Sequence, residues 1–205
     1  MVGGPRRRHT TLPGPSPATQ ALTGSPTVTT SPSEEAFRDL MAAFASGVTV
    51  VTSRAGEQDG GMTVSAFFSV TLDPAMVVVS LALSADTTPL VERSGSFAVN
   101  LLREEQRELS IRFADRIPPE QKFEGLSLER GMGGVPLLQG TLGTLECRTE
   151  AKVPVGDHYL FLGRVVTVHG GRPGKPLVYW DRDYWGLRES TGRLGAPGAL
   201  REGAP

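Results

Sequence analysis

A chain of 205 residues carrying 21 Lys plus Arg against 22 Asp plus Glu, with 39% hydrophobic residues and a net charge of -1, holds enough material for one domain with a real core. That balance argues against a duplex-DNA binder or a polybasic membrane-surface protein, both of which need a cationic face. One cysteine, Cys147, excludes an intrachain disulfide and a Cys-based zinc cluster, and the longest nearly apolar run, Ala75 to Leu83, is too short to span a bilayer as a helix.

Residues 1–33 hold six Pro, four Gly, seven Thr and four Ser, with no acid before Glu34, a composition that cannot bury enough apolar surface to order itself. Arg6-Arg7-Arg8 would open an export signal only if an apolar stretch followed, and Thr10-Thr11-Leu12-Pro13-Gly14-Pro15 is the opposite. A disordered tail over 1–33, a folded domain over 34–189 and a flexible Gly/Ala/Pro-rich tail over 190–205 are expected. Ser31-Pro32-Ser33-Glu34 reads as a helix start, with Ser31 as the cap, Pro32 first in the helix and Glu34 completing a capping box. Phe37, Leu40, Met41 and Phe44 follow at helical spacing and give that helix one apolar face, with Gly47 as its stop.

The pattern then turns to strands. Val48 to Thr52 is β-branched throughout, Gly56 to Gly61 reads as a turn, Met62 to Thr71 alternates loosely, and Asp73-Pro74 breaks the pattern before an apolar strand from Met76 to Leu83. Short helices are expected at Pro89 to Arg93 and Glu104 to Asp115, flanking a strand at Phe97 to Leu101. Gly140 to Val153, His158 to His169 and Pro176 to Trp180 read as three more strands. At least six strands with few helices predict a mainly β fold, a closed or split β-barrel with flanking helices. Gly131-Met132-Gly133-Gly134 lacks the spacing of a dinucleotide turn and follows no strand. No Gly-x-Ser-x-Gly elbow is present, and three histidines, one of them in the N-terminal tail, fall short of the usual metal sets, so no metal is expected. Cys147 reads as a small buried residue. Tyr179, Trp180, Tyr184 and Trp185 exceed what solvation needs and suit a barrel closure, a dimer interface or the flank of a nucleotide site.

A series of segments in register carries a family likeness. Phe37-Arg38, Met41 and Phe44-Ala45-Ser46-Gly47-Val48-Thr49-Val50-Val51-Thr52 come first, then Gly61-Met62-Thr63-Val64-Ser65-Ala66-Phe67-Phe68-Ser69-Val70-Thr71-Leu72-Asp73-Pro74. Phe97-Ala98-Val99-Asn100-Leu101-Leu102, Phe113-Ala114, Leu145-Glu146-Cys147, Gly156-Asp157-His158 and Gly163-Arg164-Val165 complete it. Over about residues 36–185 the chain resembles the flavin reductase family with the split-barrel FMN-binding fold, the reductase components of two-component flavin-dependent monooxygenases.

The resemblance implies a dimeric split barrel that holds flavin at the barrel edge. Met62, Thr63, Val64, Ser65 and Ala66 would lie along the isoalloxazine ring, where small polar residues let the backbone approach. Ser80 and Leu81 would line the same edge. Ser84, Thr87 and Thr88 offer hydroxyls and N–H groups that suit either a phosphate cradle or a plain helix cap. Asn100, Leu101 and Leu102 would border the flavin, although a lone Asn at a strand end also serves as a turn residue. Phe113 suits core or ring packing, and Arg112 and Arg116 either pair with phosphate or stand in solvent. Gly156 and Asp157 would place His158 against the flavin or nicotinamide, as the catalytic candidate, against the plainer role of a structural histidine.

The activity so implied is NAD(P)H-dependent reduction of FMN or FAD, with NADH or NADPH as co-substrate and reduced flavin passed to a separate oxygenase. A split-barrel flavoenzyme that keeps its flavin and reduces its own substrate, and a non-catalytic flavin-binding module, are the alternatives. A cytoplasmic homodimer with no nucleic-acid or membrane partner is expected; the folded region's excess of acids disfavours an oligonucleotide-binding barrel.

Overall fold

The computed structural model describes residues 33–188. Chain order is α1 (Glu34–Ala42), β1 (Ser46–Gly47), β2 (Thr49–Ala55), β3 (Gln58–Val64), β4 (Phe67–Leu72), β5 (Ala75–Ala82), α2 (Thr88–Ser94) and β6 (Ser96–Leu101). Then come α3 (Arg107–Ala114), α4 (Pro119–Phe123), β7 (Leu128–Arg130), β8 (Pro136–Leu138), β9 (Gly143–Val155), β10 (His158–Gly170), β11 (Leu177–Trp180) and β12 (Asp183–Gly186). No described helix is long and apolar enough to cross a membrane.

Seven strands form one antiparallel sheet in the order β3-β2-β6-β9-β10-β5-β4. Laid flat, its outer strands would stand about 29 Å apart, six spacings of ~4.8 Å. Yet β3 and β4 are joined by only Ser65 and Ala66. The sheet therefore curls until its edges meet, and the β4–β5 ladder runs on into the linker, where Ser80 N–H donates to Ala66 O at 3.0 Å. No ladder joins β3 to β4, so the barrel is split. The loosely alternating run from Met62 to Thr71 is thus two strands in different places, and the expected turn at Gly56 to Gly61 shrinks to Gly56-Glu57 because Gln58 to Gly61 pair with β2.

The barrel interior is filled by Val51, Val64, Val77, Val79, Leu81, Phe97, Val99, Cys147 and Phe161. A second cluster, with Val50, Leu102, Phe113, Leu138 and Leu177, lies outside the barrel wall under α3. β2 is buried from Thr49 to Ser53 because it has core on both sides, which is why its β-branched run shows no alternation. Burial, reinforced by the Glu146 carboxylate, pushes the Cys147 thiol up to about 12, so this cysteine packs and does not react. Gly163 sits where β10 passes over Phe97; a Cβ there would lie 2.4 Å from Phe97 Cζ and 2.9 Å from Cys147 Cβ. Gly163→Ala is expected to destabilise the fold by about 1–3 kcal/mol through overpacking, read as a fall in the urea midpoint. An unchanged midpoint would mean that the core yields there.

Asp59 on β3 clamps the barrel to the β7 region. Its Oδ1 accepts from Arg54 Nη1 at 2.8 Å, and its two oxygens take Arg130 Nη1 and Nη2 at 2.7 and 2.8 Å. Burial alone would raise the Asp59 pKa, but the hydrogen bonds and charges of Arg130 and Arg54 outweigh it and hold the carboxyl below its usual value. A folded-state pKa below the unfolded one adds stability above the unfolded carboxylate pKa of ~3.9 and loses it as pH falls through the folded value. The stability gap between wild type and Asp59→Asn is therefore widest near neutrality and closes in acid, as denaturant melts at several pH values will show.

Helix α1 starts two residues later than the sequence suggests. Ser33, not Ser31, caps it, accepting from Ala36 N–H at 3.1 Å; Ser31 and Pro32 lie outside the described residues. The helix ends at Ala42, before Gly47, and none of its side chains is buried. Its apolar face (Phe37, Leu40, Met41, Phe44) is open to solvent. The four aromatics anchor it: Trp180 Nε1 donates to Ala43 O, Asp181 N–H donates to Ala42 O, and Tyr179 and Trp180 stack edge-on against Tyr184 and Trp185. They build the small sheet β1-β11-β12 rather than closing the barrel.

Candidate functional site

The segments Ser65–Ala66, Ser80–Ser84 and Gly156–His158 meet at one end of the barrel. Ser80 pairs with Leu160, and Ala82 with His158, in the β5–β10 ladder. Leu83 N–H donates to Asp157 O at 2.9 Å, and Ala66 O holds Ser80 N–H. Cross-strand partners share a face. Tyr159 and Phe161 point into the barrel, so His158, Leu160, Ser80 and Ala82 look outward. Around them the outer face is apolar and uncovered: Phe68 is 63% exposed, Val155 51% and Val153 43%.

Val155 and His158 close a two-residue hairpin loop, Gly156-Asp157. Gly156 has φ 57° at the first central position, as the type II′ geometry that matches strand twist requires. This turn fixes where His158 leaves the sheet. Its ring is half-exposed, with Nδ1 2.7 Å from Asp157 Oδ1.

The donors left open at this rim suit an anionic, planar ligand. Among the described residues, the backbone N–H groups of Ser65, Ala66 and Ser84 meet no backbone acceptor and the hydroxyls of Ser65, Ser80 and Ser84 have no side-chain or backbone partner; Thr87 is likewise unpartnered but is buried, 2% exposed. Thr63 and Thr88 are committed, donating to Ser110 O and Ala82 O at 2.6 Å each. Met62 packs against the barrel core, and the Val64 and Leu81 side chains are within it, so of these three only the backbone can serve a ligand.

Lys122 was not singled out by the sequence pattern and belongs here. Its Nζ donates to Phe113 O at 3.2 Å and approaches Gly61 O at 3.5 Å, which sets it beside the ring-side strand. Burial lowers its pKa below the usual lysine value, while the charges of Asp86 and Asp115 pull the other way. Asp86 lies in the Ser84–Thr88 turn, so the ammonium is within electrostatic reach of the turn expected to hold phosphate and offsets an otherwise repulsive carboxylate. Gly61 lets the Phe113 and Phe123 rings pack on this strand: a Cβ there would lie 2.5 Å from Phe113 Cε1 and 3.1 Å from Phe123 Cζ. The sequence signal was a lone lysine followed by Phe123, ten residues beyond Phe113; the two rings meet edge-on, 5.1 Å apart.

Three expected site side chains, those of Asn100, Leu102 and Phe113, are committed to the protein's interior. Asn100 is wholly buried: its Nδ2 donates to Val50 O and Thr52 Oγ1 at 3.0 and 3.2 Å, and its Oδ1 accepts from Leu138 N–H and Thr144 Oγ1 at 2.9 and 3.1 Å. It has no polar atom left for a ligand. Leu101 pairs with Thr49, itself the partner of Val64, so it lies two strands, about 10 Å, from the ring-side segment. Leu102 and Phe113 fill the second core cluster. Arg112 is neither solvated nor free for phosphate, because its guanidinium holds the carbonyls of Gln121 and Glu124. An open cleft of about 890 Å³ at the far end, lined by Leu109, Thr141, Thr144, His169 and Arg172, shares no residue with the His158 group.

Residues 41–188 match the flavin reductase like domain family. The reductase component of 4-hydroxyphenylacetate 3-monooxygenase from Thermus thermophilus is 44% identical over 151 residues, covering 74% of this chain and 95% of that one. The NADH-dependent FMN reductase AsuE2 of Streptomyces nodosus subsp. asukaensis is 41% identical over 166 residues, 78% of this chain and 88% of its own. Among solved structures, BorF, the flavin reductase component of a bacterial two-component tryptophan halogenase, superposes with a TM-score of 0.70 at 32% identity, covering 76% of this chain and 99% of that one. The flavin reductase HpaC complexed with NADP+ gives 0.69 at 30% identity over 75% and 97%.

Proposed function

Because the chain belongs to the flavin reductase like domain family, we propose that it is an NAD(P)H-dependent flavin reductase whose reduced flavin leaves for a separate oxygenase. The observation that carries this reading is the rim itself: unpaired N–H groups at Ser65–Ala66, open hydroxyls and the Lys122 ammonium beside the Ser84–Thr88 turn, and an imidazole on the adjoining outward face. FMN fits that set: the backbone of 62–66 would take its ring, and Lys122 with the Ser84–Thr88 turn would hold its phosphate. A bound flavin supplies the hydride-accepting ring.

The residues of this chain then have distinct tasks. Ser65 and Ala66 donate to a ring edge, Ser84, Thr87 and Lys122 hold the phosphate, and His158 aligns the nicotinamide above the sheet face. Hydride transfer depends on that alignment more than on a proton donor. A shallow, outward-facing site releases its product readily, which suits a carrier role for the flavin. A second copy of the chain is proposed to cover Phe68, Val153 and Val155, an apolar surface of the kind that marks an interface. The nicotinamide substrate makes the cytoplasm its expected location.

The test is NADH and NADPH consumption by the purified protein with and without added FMN or FAD. Turnover that saturates with free flavin supports the proposal. Turnover without added flavin indicates a retained cofactor, and flavin binding without turnover leaves a binding module.

A further inference from the structure

His158 stands beside a carboxylate that can do only one thing. Asp157 is 93% exposed and sits at the second position of the rigid Gly156-Asp157 turn, with Oδ1 2.7 Å from His158 Nδ1. That hydrogen bond, with a second from its own backbone, draws the Asp157 pKa below the usual carboxylate value. An ionised carboxylate accepts and never donates, so Nδ1 must carry the proton. In a neutral imidazole the other nitrogen is then an acceptor. Nε2 has no hydrogen-bond partner among the described residues. The cross-strand neighbours of His158 are Ala82 and Val155, neither of which has a side-chain polar group to engage it. The nearest cation on β9, Lys152, is taken by Glu92 and lies over the Tyr159 ring, whose side chain leaves the opposite face of the strand.

We propose that Asp157 is a positioning residue that holds His158 in its Nδ1–H form, so that Nε2 is a dedicated acceptor for a primary-amide N–H, the donor that a nicotinamide carboxamide carries. The amide part rests on the reductase reading above; the tautomer part stands on the geometry alone. One hydrogen bond from the carboxamide would turn the nicotinamide ring to a fixed angle over the site, which is the contribution an alignment-limited reaction needs.

The test has two arms on the full chain. In the first, long-range 1H–15N spectra of 15N-histidine protein are recorded near pH ~8.5, above the ordinary histidine pKa of ~6.5. His158 is assigned by its loss in His158→Gln. Wild type should show a protonated Nδ1 and a bare Nε2. Asp157→Asn, whose amide can donate to Nδ1 as well as accept, should lose that preference, and so should Asp157→Ala. An exposed turn position makes both variants safe for folding. A protonated Nε2 in wild type, or an unchanged spectrum in both variants, would overturn the proposal. In the second arm, Asp157→Ala should raise KM for the preferred nicotinamide by about three- to tenfold, the worth of one hydrogen bond, and by more than any change in kcat. A lost tautomer with an unchanged KM would overturn the amide role. Absence of turnover in the wild type would fail the reductase reading and the amide role with it, while the spectra still decide the tautomer.

Discussion

Asn100→Ala is expected to lower stability by about 3–4 kcal/mol while leaving FMN affinity at the wild-type value. The truncation removes both ends of an amide that ties β6 to three other strands: Val50 and Thr52 on β2, Leu138 on β8 and Thr144 on β9. Leu138 N–H and Val50 O would be left buried without this partner, and an orphaned buried polar group costs about 1–3 kcal/mol. Thr52 Oγ1, which donates to Pro136 O at 2.6 Å, would also lose its donor partner. The contacts among β2, β6, β8 and β9 would loosen first, so the urea midpoint should fall sharply. Flavin titration at low temperature reads the other half. A site at the His158 rim predicts an unchanged Kd, whereas a tenfold weaker Kd with an unchanged midpoint would return Asn100 to the flavin site.

Lys122→Met has the opposite profile. Methionine keeps most of the apolar stem that fills the half-buried channel between α4 and β3 but removes the ammonium. A charge-assisted contact to phosphate is worth roughly 1.5–3 kcal/mol, so FMN binding should weaken by about ten- to a hundredfold. Riboflavin, which has the same ring and no phosphate, should bind wild type and variant alike. That contrast separates a phosphate contact from general damage. Equal losses for FMN and riboflavin would show that Lys122 merely supports Gly61 and Phe113, the backbone groups it touches. The ammonium's depressed pKa adds a sign: FMN affinity should fall as pH rises through it.

Much of the barrel was legible because its strands are long and strongly patterned. β5, β6 and β10 each read directly from β-branched or alternating runs, and α3 from Leu109 and Phe113 four residues apart. What the pattern could not show was long-range placement. Nothing local reveals that the chain leaves one sheet edge at Val64 and joins the other at Phe67, since Ser65-Ala66 is no stronger a turn signal than its neighbours. Asn100 misled for the same reason. A polar residue near a strand end reads as a turn or a site, and its true partners lie 38 to 50 residues away in sequence. The three-residue strands β7 and β8 and the short β12 are held by tertiary pairing alone. At the candidate site, Ser65, Ser84, Gly156, Asp157 and His158 were expected through family likeness, and the β5–β10 register brings two segments more than seventy residues apart to one rim. Lys122 escaped because a single lysine on a five-residue helix has no pattern to announce it.

The most direct measurement is anaerobic mixing of the protein and FMN with NADH, and separately with NADPH, following loss of the flavin's blue absorbance and then filtering protein from free flavin. A hydride-transfer site with a shallow, releasing rim predicts fast bleaching with at least one nucleotide and reduced flavin in the filtrate. Flavin that binds to the protein yet stays oxidised with both nucleotides would contradict it.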